Sequence, residues 1–161
     1  MSIKRRYWLR KDEIRQLTQD VEKFGENILN LLKKGVEVVE LENGDEIILG
    51  GGKELFIRGA RGLFPTLLGA ELLELRQVAV DMGAVPYVAN GADVMGPGVV
   101  SADVEIKVGE AVTVVDERHG KTLAVGVAQV PGTEMKAPEG KVVKNVHHVG
   151  DKRWRLIREK G

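Results

Sequence analysis

Apolar residues recur at three- and four-residue steps over positions 11–34, at Ile14, Leu17, Val21, Phe24, Ile28, Leu31 and Leu32. That spacing predicts one amphipathic helix with a single buried stripe. Asp12 and Glu13 suit its first turn, Lys33 and Lys34 its last, and Gly35 its stop. The period then shortens to two. Residues 36–41 and 46–49 read as strands joined through Asn43-Gly44, a pair that favours a tight hairpin turn. A further strand is expected over residues 55–58, and Pro65 is expected in the first turn of a short apolar helix that runs through Leu72-Leu73.

From Gln77 onward helical periodicity gives way to Val, Gly and turn residues. Strands are expected over 77–81, 105–106, 111–116, 123–129 and 154–157, and short, regularly spaced strands point to a small barrel or sandwich. The chain therefore reads as α+β, with one domain over residues 1–76 and a compact β domain over 77–161.

Charge narrows the partners. The 161 residues carry 24 basic and 24 acidic side chains, divided 13 and 13 before Gln77 and 11 and 11 from there on. Neither part has an overall field to draw in a polyanion, so any nucleic-acid contact must come from local patches. With no cysteine in the chain there is no disulfide, thiol nucleophile or Cys-based zinc site. The N-terminus lacks the apolar core of a signal peptide, and no stretch is apolar for long enough to span a membrane. The expectation is a soluble cytoplasmic protein.

Several patterns of possible chemistry resolve into structural ones. Gly50-Gly51-Gly52-Lys53 is followed by Glu54, where a phosphate-binding loop needs Ser or Thr, so a turn between strands is expected. His147 and His148 are adjacent, and on a strand they would point to opposite faces; one is expected in the core with a hydrogen-bond partner. Ser2 and Ser101, the two serines, lie in no nucleophile elbow, and no catalytic residue, metal or cofactor is assigned.

Two basic-aromatic clusters remain, one around Lys4, Arg5, Arg6, Tyr7 and Trp8, the other around Arg153, Trp154 and Arg155. Cations bind phosphates and aromatic faces stack on bases. Trp154 and Leu156 also alternate with arginines as they would on a strand with one face in a core.

Gly83-Ala84, the run from Gly91 through Val99, residues 124–128 and residues 140–151 together resemble a PUA domain, a small RNA-binding pseudo-barrel. Lys4-Arg5-Arg6-Tyr7-Trp8-Leu9 and Gly62-Leu63-Phe64-Pro65-Thr66-Leu67 are similar to the region preceding that domain in the malignant T-cell amplified sequence proteins and their larger relative ligatin, and specifically in their archaeal counterparts. The resemblance implies an N-terminal α/β pre-PUA domain and a C-terminal PUA pseudo-β-barrel. It also implies RNA binding without catalysis, directed at tRNA, small-subunit ribosomal RNA or both, in translation initiation, reinitiation or recycling. A density-regulated-type partner protein is implied too; a membrane or small-molecule substrate is not. Alternatives are a module that presents tRNA to a modification enzyme and a protein-interaction adaptor without RNA.

Residue by residue, the implied RNA-facing element is Gly91, Ala92, Asp93, Gly96, Pro97 and Gly98, flanked by Arg153 and Arg155 and by Lys4, Arg5 and Arg6. Glycine N–H groups are expected to meet phosphate, while Val94 and Met95 are expected to plug the barrel.

Overall fold

The computed structural model describes residues 2–136, 139–151 and 155. The chain divides into two compact units, Met1–Glu74 and Leu75–Gly161. The first is a five-stranded antiparallel sheet in chain order: β1 (Ile3–Trp8), β2 (Val36–Leu41), β3 (Glu46–Gly50), β4 (Lys53–Gly59) and β5 (Gly62–Pro65). Helices α1 (Lys11–Val21), α2 (Leu29–Lys33) and α3 (Leu67–Leu73) complete it.

The expected hairpin forms at Asn43-Gly44, where Gly44 has φ 92° and the Asn43 side chain accepts the Asp45 N–H at 3.0 Å. The triple glycine is a hairpin turn, with Gly51 and Gly52 at φ 58° and 80°.

Two expectations in this unit are corrected. The single helix over 11–34 is broken: a 3-10 turn over Glu22–Phe24 ends at Gly25, whose φ of 122° lies outside the helical region, and α2 restarts at Leu29. The apolar period survives the break because both segments bury Leu17, Val21, Ile28 and Leu32. Pro65 closes β5 instead of opening the helix; Thr66 is the cap, and its hydroxyl oxygen accepts the Gly69 N–H at 2.9 Å.

The second unit is one six-stranded sheet in the order β7-β11-β10-β9-β6-β8. Its strands are β6 (Gln77–Val80), β7 (Val94–Met95), β8 (Val99–Ala102), β9 (Ala111–Asp116), β10 (Thr122–Ala128) and β11 (Lys141–His148), with α4 (Val85–Ala89) between β6 and β7. Every pairing is antiparallel except β6 with β9. All six strands feed one core, through residues such as Val78, Val94, Val99, Val114, Ala124 and Val143. A flat sheet of six strands would be roughly 24 Å across at the usual strand spacing, too wide for its two edges to share a core. The sheet must curl around that core.

Residues 105–106 are not a strand. Asp103 accepts the Glu105 N–H at 2.8 Å to form a turn, and Ile106 enters the core as a plug. The strand expected over 154–157 falls largely outside the described residues; Arg155 is helical, its N–H bonded to the Asp151 carbonyl at 3.0 Å. None of the helices is long and apolar enough to cross a membrane among the described residues.

Candidate nucleic-acid interface

The glycine loop begins as the end of α4. The Gly91 N–H donates to the Val88 carbonyl at 3.0 Å and the Ala92 N–H reaches back to Tyr87 at 2.9 Å, the two bonds of a Schellman cap. That cap needs a left-handed residue, and Gly91 supplies φ 99°. A side chain there would also meet a neighbour: a Cβ on Gly91 would stand 3.0 Å from His148 Nε2.

Strand β11 clamps the loop from the side. Asn145, only 5% exposed, donates through Nδ2 to the carbonyls of Val88 and Ala92, both at 3.0 Å. Its backbone N–H donates to Asp93 Oδ1 at 2.8 Å. The other Asp93 oxygen holds Lys141 Nζ at 2.9 Å. Burial works to raise the Asp93 pKa, but the Lys141 ammonium and the Asn145 N–H together outweigh it and hold the carboxyl below its ordinary value. Asp93 is thus a charged brace for the loop, and its anionic side chain is unsuited to phosphate.

The Gly96 N–H donates to the Gly140 carbonyl at 2.9 Å. The expected phosphate donors at Gly91 and Gly96 are therefore already engaged within the protein, which corrects that reading. Val94 is buried at 1% exposure as expected, but Met95 is 49% exposed. Adjacent residues of a strand face opposite ways, so one alone can plug the core. Ala92 and Pro97 are exposed, and the Gly98 carbonyl accepts the Asp81 N–H at 2.9 Å.

Further exposed side chains flank this loop on α4 and on β11, the latter within the 140–151 segment that carries the resemblance. Tyr87, on α4 one turn before Gly91, is 70% exposed. Lys141 and Lys144 project from β11, where Lys144 adds to the positive field at Asp93. His148 stands against Gly91 at the end of the same strand. His147 fulfils the expectation for one of the pair: it is 2% exposed, with Nδ1 2.7 Å from Asp151 Oδ2. Among the described residues no cluster of three or more His, Cys, Asp or Glu could hold a metal ion.

The other predicted cations are placed differently. Lys4, Arg5 and Arg6 lie on β1 of the N-terminal unit and are tied across to β2. Glu40 takes Lys4 at 3.7 Å and Arg5 at 2.5 Å, and Glu37 takes Arg6 at 2.7 Å. Arg5 holds the Glu40 carboxyl below its ordinary value, chiefly through their hydrogen bond. Two carboxylates thus offset most of this patch. Arg155 is exposed, one helical turn beyond Asp151; Arg153 lies outside the described residues.

With this geometry, residues 76–150 match the family model of the PUA domain, so the C-terminal unit is a PUA domain and its curled sheet the nearly closed barrel of that class. An uncharacterized protein of Methanocaldococcus jannaschii is 41% identical over 158 residues, 96% of this chain and 98% of that relative. Human malignant T-cell-amplified sequence 2 is 31% identical over 131 residues, 77% of this chain and 72% of its own length. The translation machinery-associated protein 20 of Schizosaccharomyces pombe is 35% identical over 88 residues, 52% of this chain and 49% of its own. The crystal structure of a hypothetical protein from Pyrococcus horikoshii matches with a TM-score of 0.80 and 38% identity, covering 95% of this chain and 99% of that one. The chain belongs to the family of the malignant T-cell-amplified sequence proteins.

Proposed function

We propose that this chain is a non-catalytic RNA-binding protein of translation, which contacts tRNA, small-subunit ribosomal RNA or both during initiation, reinitiation or recycling. The observation that carries the reading is the PUA match over residues 76–150 in a chain of this family. The similarity to the fission-yeast translation machinery-associated protein 20 supports the setting. The geometry supports a particular face. The braced glycine loop gives RNA a rigid shape to dock against, Lys144 supplies charge for its phosphates beside the Lys141–Asp93 pair, and Tyr87 offers a ring on which a base can stack. Neutral overall charge makes this a local contact, fixed by shape and a few cations. A density-regulated-type protein is proposed as a partner, and the cytoplasm as the place of action.

Crosslinking in lysate followed by sequencing of the bound RNA tests the reading. Enrichment of tRNA or small-subunit ribosomal RNA is expected. Co-purification of tRNA with a modification enzyme and without small subunits would move the protein to a different task, and recovery of background RNA alone would refute RNA binding.

A further inference from the structure

We propose that Lys141 is a second phosphate-binding lysine of this face, held in reserve by Asp93, so that removing the Asp93 charge tightens RNA binding. The proposal rests on the RNA-binding reading above. Strict alternation along β11 would put positions 141 and 144 on opposite faces. Val142 and Val143 between them are both buried, however, and the pairing with β7 shifts register there, so both lysines are exposed beside the glycine loop. Both also lie in the field of Asp93. They differ in what holds them. Lys141 Nζ is 2.9 Å from Asp93 Oδ2, whereas Lys144 forms no ion pair among the described residues.

Asp93 is fixed where it stands. Its Oδ1 accepts the Asn145 N–H at 2.8 Å, and Asn145 is buried and tied in turn to the carbonyls of Val88 and Ala92. A phosphate that drew Lys141 away would therefore meet a carboxylate left behind at the same spot, and repulsion from one would largely cancel attraction to the other. The pair is partly open, with side chains 46% and 30% exposed, so it is weak enough to be exchanged. Asp93 thus competes with phosphate for its own lysine, and holds the affinity of the face below what two free lysines on β11 would give.

The experiment measures the affinity of the full chain for an unmodified tRNA transcript, by filter binding at about 50 and 200 mM salt. It uses wild type, Asp93→Asn, Lys141→Gln and the double variant. Asparagine keeps an oxygen that accepts the Asn145 N–H and loses only the charge, so the loop stays braced. Releasing an exposed ion pair corresponds to about a two- to fivefold change in affinity. Asp93→Asn should therefore bind the transcript about two- to fivefold more tightly at the lower salt. One further phosphate contact should also steepen the salt slope by about one, so the gain shrinks at the higher salt. Both effects should vanish in the double variant, which should return to within about twofold of wild type.

No tightening in Asp93→Asn, or a tightening that survives in the double variant, overturns the proposal and leaves RNA binding intact. If circular dichroism shows that Asp93→Asn does not fold, Asp93→Ser removes the same charge with a shorter side chain, and no tightening there overturns the proposal equally. If wild type does not bind the transcript at all, the RNA-binding reading fails and this proposal with it.

Discussion

Replacing Asn145 by Ala should loosen the glycine loop before anything else in the C-terminal unit. The substitution deletes the two Nδ2 bonds to the Val88 and Ala92 carbonyls, both 3.0 Å. The Val88 oxygen keeps the Gly91 N–H, whereas the Ala92 oxygen loses the Asn145 donor. At about 1 kcal/mol net for each bond, plus a small void at a buried position, the loss comes to roughly 2–3 kcal/mol. Urea unfolding followed by circular dichroism measures the total. Hydrogen exchange locates it, since the Gly91 and Ala92 amides that close the helix cap should exchange faster than those of β9 and β10. Asn145→Asp should cost more at neutral pH, because a carboxylate oxygen would then face two carbonyls beside Asp93. A loss below about 0.5 kcal/mol with unchanged exchange at Gly91 and Ala92 would refute the clamp.

Gly91→Ala should cost about 1–2 kcal/mol, because φ 99° is strained for an L-residue and the new methyl meets His148; thermal denaturation checks it. Asp93→Asn should cost about 0.5–1 kcal/mol at pH 7, a modest value because the Lys141 pair is partly exposed. The Asp93 pKa is depressed in the folded state, so its contribution is present above the ordinary carboxylate range and lost as pH falls through the folded value. Urea titrations should therefore show wild type and Asp93→Asn converging below about pH 4, and a gap that widens there would contradict the pairing. Gly132→Ala drives a methyl into the Asp103 carbonyl oxygen and against Ile106, so it should lose at least about 2 kcal/mol by the same titration.

What could be read from the sequence was local. The β2–β3 hairpin was visible because Asn43-Gly44 encodes its own turn, and the amphipathic stripe from Ile14 to Leu32 was visible because one core buries it. β1 was hidden: it is an edge strand with only Ile3 and Tyr7 turned partly inward, so its cations dominate the pattern. The longest strand, β11, was hidden for the opposite reason. Val142 and Val143 are buried in succession, as are Asn145, Val146 and His147, and a register shift interrupts the pairing, so no alternation of period two survives.

The candidate site divides in the same way. The glycine loop announced itself as a run of turn residues, but its clamp crosses 52 to 57 residues of sequence, from Asp93 and Val88 to Asn145. No local pattern encodes such a pairing. The N-terminal cations looked free because Glu37 and Glu40, which bind them, lie on the neighbouring strand. Tyr87 carried no motif although it lies one helical turn before Gly91, while His148 stood in view as half of a histidine pair and only the fold brings it beside Gly91.

The most direct measurement is filter binding of a tRNA transcript to the full chain across a salt series, with Lys144→Glu in parallel. One to two phosphate contacts give a loss of roughly 3- to 12-fold between about 50 and 200 mM salt, and Lys144→Glu should weaken binding and reduce the salt slope by about one. No binding at the lowest salt, or binding indifferent both to salt and to Lys144→Glu, would contradict an RNA-binding face at the glycine loop.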